Sequence, residues 1–141
     1  MSNLDASFLT AGVLDGYALR AFKYGACAAL AIALHEATGW PLVAITDSHN
    51  VFEDGTAGGG SALHWTVRRP DGLLVDVGGA HCEQSLVDEY CAEADDGQAA
   101  AGVSTLADAQ EWYVECQGEP IPVKLARTFV AAVLAKTAQS R

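Results

Sequence analysis

Three residues in this chain have types and an order that suit thiol chemistry: Cys27, His64 and Asp76. A thiol attacks a carbonyl only as its thiolate, and a free cysteine is mostly protonated at neutral pH. Two devices correct this. A helix start carries partial positive charge that favours the anion, and a neighbouring imidazole can hold the proton. A carboxylate behind the imidazole fixes its tautomer and steadies the imidazolium. An unpaired backbone N–H at the helix start, such as that of Cys27, can also donate to a developing oxyanion. Gly25, just before the helix, lets a substrate approach closely.

Other assignments are open. His81 or His49 could act as the base, and Asp47 could orient it. His35 lies about two turns beyond Cys27 on the same helix, too far along the axis to serve it. Each member of the trio also has a plain structural reading. Cysteine is among the most buried residue types, a strand histidine can be structural, and Asp76 before Val77 and Gly78 could simply begin a turn.

The elements that must position these groups follow from the pattern. Alanine and leucine dominate residues 26–38, both favouring helix. Cys27, Leu30, Ala31 and Leu34 share one helical face, and the other faces are also apolar, so this helix is expected inside the fold. Gly39 and Pro41 stop it. Before it, residues 6–23 suit a helix or two helical turns, broken near Gly12 and Gly16.

Residues 42–46 read as a strand and 47–61 as a glycine-rich loop. Residues 62–69 and 73–77 read as two strands of a hairpin joined by Arg69, Pro70, Asp71 and Gly72, with Gly78 and Gly79 ending the second. The even separation of His64 and Asp76 is compatible with one face of that hairpin. Further helices are expected at 82–94, at 106–114 behind a Thr105 cap with Asp108 three residues on, and at 123–138, with 95–101 a surface loop. Helices mixed with a short run of strands point to an α+β fold.

The 141 residues suit one domain, and half of them are apolar, enough for a core without metals or disulfides. A net charge of −10 argues against binding nucleic acid or anionic membrane. Residues 1–5 carry no basic cluster, and Asp5 and Asp15 interrupt the apolar run, so no secretory signal is expected. The longest apolar stretch, 26–34, is short of a membrane span. A soluble, cytoplasmic protein is therefore expected. The four cysteines show no Cys-x-x-Cys pair, and a zinc site from His81, Cys82 and Cys91 would match no common zinc module. No metal or cofactor is expected.

Residues 25–41 contain Gly25, Cys27, Leu30, Ala31, Ala33, Leu34, His35, Thr38, Gly39, Trp40 and Pro41; residues 64–78 contain His64, Val67, Pro70, Asp71, Gly72 and Asp76. Together these stretches resemble small papain-like cysteine hydrolases of the transglutaminase-like superfamily, of bacterial or phage type. The resemblance implies a single papain-like domain spanning 1–141, its central cysteine helix packed on a small antiparallel sheet. It implies Cys27 as nucleophile, His64 as general base and acid, and Asp76 as orienter, acting on a protein or peptide substrate. Trp65 is similar to the aromatic neighbouring the histidine in such proteins, and Trp40 and Trp65 are either cleft walls or core. Papain's oxyanion glutamine has no counterpart between Ser7 and Gly25. The hydroxyl of Tyr24 or Tyr17, or a second backbone amide, would take its place. The expected activity is amide or isopeptide hydrolysis, or acyl transfer, through a thioester. The alternative is a catalytically silent acidic module that occupies a host protein.

Overall fold

The computed structural model describes residues 8–24, 26–57, 62–94, 97–116 and 122–139. Helix α1 (Gly16–Tyr24) leads into α2 (Cys27–Thr38), followed by strands β1 (Leu42–Asp47), β2 (Ala62–Arg68), β3 (Leu74–Asp76) and β4 (Gly79–His81). Helix α3 (Glu83–Tyr90), strand β5 (Ala99–Val103) and helices α4 (Leu106–Cys116), α5 (Val123–Arg127) and α6 (Val130–Gln139) complete the order. Among the described residues, five strands form one antiparallel sheet, β4-β3-β2-β1-β5. This is the expected α+β class.

Helix α2 is the core of one layer. Its first eight residues, Cys27 to Leu34, are all buried. It lies against β2 and is enclosed by α1, α4, α5 and α6. Each of its leucine and isoleucine side chains contributes roughly 1.5–3 kcal/mol by leaving water. Gly39 ends the helix with φ of 75°, and its N–H returns to the His35 carbonyl at 2.8 Å, a left-handed cap that favours glycine. His35 Nδ1 donates to the Trp40 carbonyl at 2.7 Å, so this imidazole braces the turn leaving α2.

Strand alternation splits the sheet into two unlike faces. Ala44, Trp65, Val67, Val75 and Val77 join the α2 core. Val43, Ile45 and Leu74 point the other way, onto Leu86, Val87 and Tyr90 of α3. Arg69 to Gly72 forms the expected turn, with Gly72 at φ of 91°. The Asp108 N–H donates to Thr105 Oγ1 at 3.1 Å, the expected cap of α4.

Four elements depart from expectation. Residues 99–103, partly read as surface loop, form edge strand β5, paired with β1 from Val43 opposite Val103 to Asp47 opposite Ala99. Its sequence, three alanines, a glycine and one valine, carries little strand propensity. A Cβ at Gly102 would lie 2.7 Å from the Ala57 Cβ, so glycine there lets the preceding loop cross the strand. Val77 and Gly78 turn the chain rather than end the sheet, and β4 pairs back on β3. The last helix breaks at Thr128, whose hydroxyl donates to the Leu125 carbonyl at 2.7 Å. The helix read at 82–94 is α3 followed by a 3-10 turn, Cys91–Glu93.

No single helix among the described residues is long and apolar enough to cross a membrane. Helices α1 and α2 reach that length only jointly, across a 91° bend.

Candidate active site

Cys27 is the first residue of α2, and among the described residues no side chain caps that helix start. Its thiol is buried, with only 2% of the residue exposed. His64 lies in the middle of β2, where the register against β1 shifts by one residue between Ile45 and Thr46. Bulges of this kind re-aim strand side chains. Asp76 is the last residue of β3. Val67 pairs with Val75, so Asp76 sits diagonal to His64 rather than directly opposite it. Diagonal neighbours on one face are within reach of long side chains.

His64 Nε2 and Asp76 Oδ2 are 2.8 Å apart. A carboxylate only accepts, so Nε2 carries the proton and Nδ1 is the lone-pair nitrogen of the neutral ring. Nδ1 has no partner of hydrogen-bonding geometry among the described residues. The Cys27 side chain is close enough to act on the ring both as acceptor and as charge. Asp76 Oδ1 accepts from the Gly78 N–H and from His81 Nε2, each at 2.8 Å. Tyr90 of α3 stacks on the His64 ring, centroids 4.7 Å apart and planes 14° from parallel.

Electrostatics follow from these contacts. Complete burial opposes a charge on His64, but the Asp76 hydrogen bond and the Cys27 sulfur outweigh it and lift the imidazole from 6.5 to about 9. Burial likewise opposes ionisation of Asp76. The two histidines overcome that and hold its carboxyl well below the usual range. His81 is raised, chiefly by its bond to Asp76. Burial, and then the charges of Asp76 and Cys27, push the Tyr90 hydroxyl far up. The stacked phenol is therefore neutral, and its buried oxygen has no partner among the described residues. The arrangement favours an imidazolium beside the sulfur, which is what a thiolate needs.

Cys27, His64 and Asp76 thus come together, but Trp65 does not join them. Expected beside the site, it points to the opposite sheet face and packs edge-on against Trp112 at 6.4 Å. Consecutive strand residues face opposite ways, so His64 and Trp65 cannot share a pocket. Trp40 lies past the far end of α2 from Cys27 and packs against the core. The side chain of Tyr24, and Gly25 entirely, fall outside the described residues. Tyr17 packs edge-on against Phe8. Asp47, read as a loop residue, is the buried end of β1, whereas His49 is exposed on a 3-10 turn. His81 directs its Nε2 to Asp76, and Cys82 is exposed at the start of α3. No group of three metal-ligating side chains forms among the described residues.

Two partners were missed as such. His81 was considered only as a base or metal ligand. The stretch from Asp76 through Gly78 and Gly79 to His81 could have signalled a tight hairpin with both side chains on one face. Tyr90 falls within the helix expected at 82–94, but periodicity does not say which ring it meets. Comparisons with protein-family models, curated proteins and solved structures found no match to this chain.

Proposed function

We propose that this chain is a papain-like thiol enzyme of the transglutaminase-like kind, an amide or isopeptide hydrolase or acyl transferase for protein or peptide substrates. One observation carries it: a buried imidazole held by a carboxylate on Nε2, with the thiol of a helix-start cysteine acting on the same ring. Nδ1 takes the Cys27 proton and the sulfur attacks the carbonyl carbon. The oxyanion is met by N–H groups at the start of α2. His64 returns its proton to the departing amine as the C–N bond breaks, leaving a thioester. Water or an acceptor amine, deprotonated by His64, then resolves the thioester and restores the thiol. Asp76 stays ionised throughout and steadies the imidazolium. The chemistry fits a reducing compartment such as the cytoplasm, where Cys27, Cys82 and Cys91 remain free thiols.

A second reading is favoured by the burial itself. With His64 fully enclosed and Cys27 nearly so, a silent acidic module that occupies a host protein would use the same core as scaffold. Alkylation separates the two. Site-resolved iodoacetamide labelling of Cys27 against pH should show an inflection well below the ~8.5 of a free thiol, lost in His64→Ala. An ordinary thiol profile, unmoved by His64→Ala, would reject the enzyme.

A further inference from the structure

Asp76 has two oxygens, and only one serves His64. Oδ2 takes the His64 bond; Oδ1 takes two donors, the Gly78 N–H and His81 Nε2, both at 2.8 Å. A carboxylate turns in a broad, roughly two-fold torsional well about its last bond. Donors on Oδ1 therefore decide where Oδ2 points. The hairpin between β3 and β4 is shaped around this bond. A Cβ on Gly78 would lie 3.2 Å from both Asp76 Oδ1 and His81 Nε2, so a larger residue would crowd the pair. His81 and Asp76 share one sheet face because His81 pairs with Leu74, two residues before Asp76.

We infer that His81 is a positioning residue of the thiol site: its bond to Asp76 Oδ1 locks the carboxylate whose Oδ2 aims the His64 ring at Cys27. The inference rests on the thiol-enzyme function proposed above.

His81 differs from His64 in one useful respect. Its side chain is 26% exposed where that of His64 is sealed, so it joins the buried pair to solvent. Beside it lies a cavity of about 40 Å³ bounded by Lys23, Asp76, Gly78, His81, Leu86 and Glu89. The charged groups around the ring are Asp76 from β3, Glu89 from α3, His64 from β2 and, across the cavity, Lys23 from α1, which pairs with Glu89 at 3.3 Å. Asp76 and Glu89 favour the proton on His81, whereas an imidazolium at His64 opposes it. Changing His81 must therefore be felt at Cys27 through Asp76 and His64, with no contact to substrate required.

The test is the pH profile of Cys27 alkylation by iodoacetamide in the full chain, resolved by peptide mass spectrometry. In His81→Ala, and in His81→Asn, whose shorter amide falls short of Oδ1, the inflection should rise by roughly one pH unit, a tenfold slower reaction on its acid side. His81→Gln, long enough to donate to Oδ1, should bring the inflection back toward wild type. Far-ultraviolet circular dichroism checks that each variant is folded, and the polar Asn and Gln pair decides the matter if the alanine variant is not. Asn and Ala profiles superimposed on wild type, with the wild-type inflection low and lost in His64→Ala, overturn this inference alone. A wild-type profile of an ordinary thiol overturns it together with the proposed function.

Discussion

His64 and Trp65 are neighbours on β2, and both are fully buried, yet they live in different solvents. Trp65 faces α2 and is packed among alanine, valine and aromatic side chains. His64 faces α3 and sits in a line of charge from Cys27 to Asp76 and His81. Each has a ring nitrogen without a partner among the described residues. On Trp65 that is a neutral indole donor, a desolvation penalty of about 1–3 kcal/mol that the surrounding packing offsets. On His64 it is the basic nitrogen on the side left for the sulfur, and leaving it unbonded keeps it available for a proton. Equal burial therefore says nothing about role. What separates the two is whether neighbouring groups pay for charge.

Substitutions at the two positions should separate cleanly. His64→Gln and Cys27→Ala are expected to lower turnover of a peptide amide by at least ~10³-fold, as removal of a member of a catalytic unit does. Trp65→Ala should instead lower unfolding free energy by ~3–5 kcal/mol in urea denaturation. The milder Trp65→Phe should leave the Cys27 alkylation profile where it is. A Trp65→Phe variant of normal stability with depressed turnover would return Trp65 to the site and erase the contrast between the faces.

Asp76 probes the polar face at its anchor. Replacing it with asparagine removes the charge that both imidazoles share, so the Cys27 inflection should rise toward that of a free thiol. Because one partner of a buried pair is lost, stability should fall by on the order of 3 kcal/mol. Asp71, whose ion pair with Arg69 is exposed, is the control. Asp71→Asn should leave stability nearly unchanged, and equal losses at the two aspartates would show that the buried network is not special.

How far the sequence disclosed this arrangement depends on the element. The cysteine helix was legible because a nearly all-apolar run of helix formers has one place to go. The α+β class followed from the order of elements, and the Arg69 to Gly72 turn from its residue types. Strand β5 was illegible: three alanines favour helix in isolation, and only pairing with β1 makes them a strand. Strand β4 was hidden by two glycines that read as a terminus but serve a tight turn. Trp65 is a different case: its residue type allows cleft wall or core, and alternation along the strand, which puts it on the face opposite His64, decides for the core.

The smallest expected effect is also the sharpest test of the contrast, because it is one of shape rather than size. His64 binds its proton more tightly folded than unfolded, so its contribution to stability is complete below its unfolded value of 6.5 and is lost as pH rises through about 9. Asp76 works in the opposite sense. Its depressed folded value stabilises above 3.8, and that contribution disappears as pH falls below it. The stability deficit of His64→Gln, measured by urea denaturation across pH, should therefore be greatest between about pH 4 and 6.5 and shrink toward pH 9. The deficit of Trp65→Ala should not vary with pH, since its ring packs edge-on against Trp112 within the apolar core. In Cys27→Ala, which removes one of the two groups that raise the imidazole, the alkaline decline should be smaller and end at lower pH than in the wild type. A flat deficit for His64→Gln would mean that the ring is neutral at all these pH values, and the polar face would then be no more charged than the apolar one.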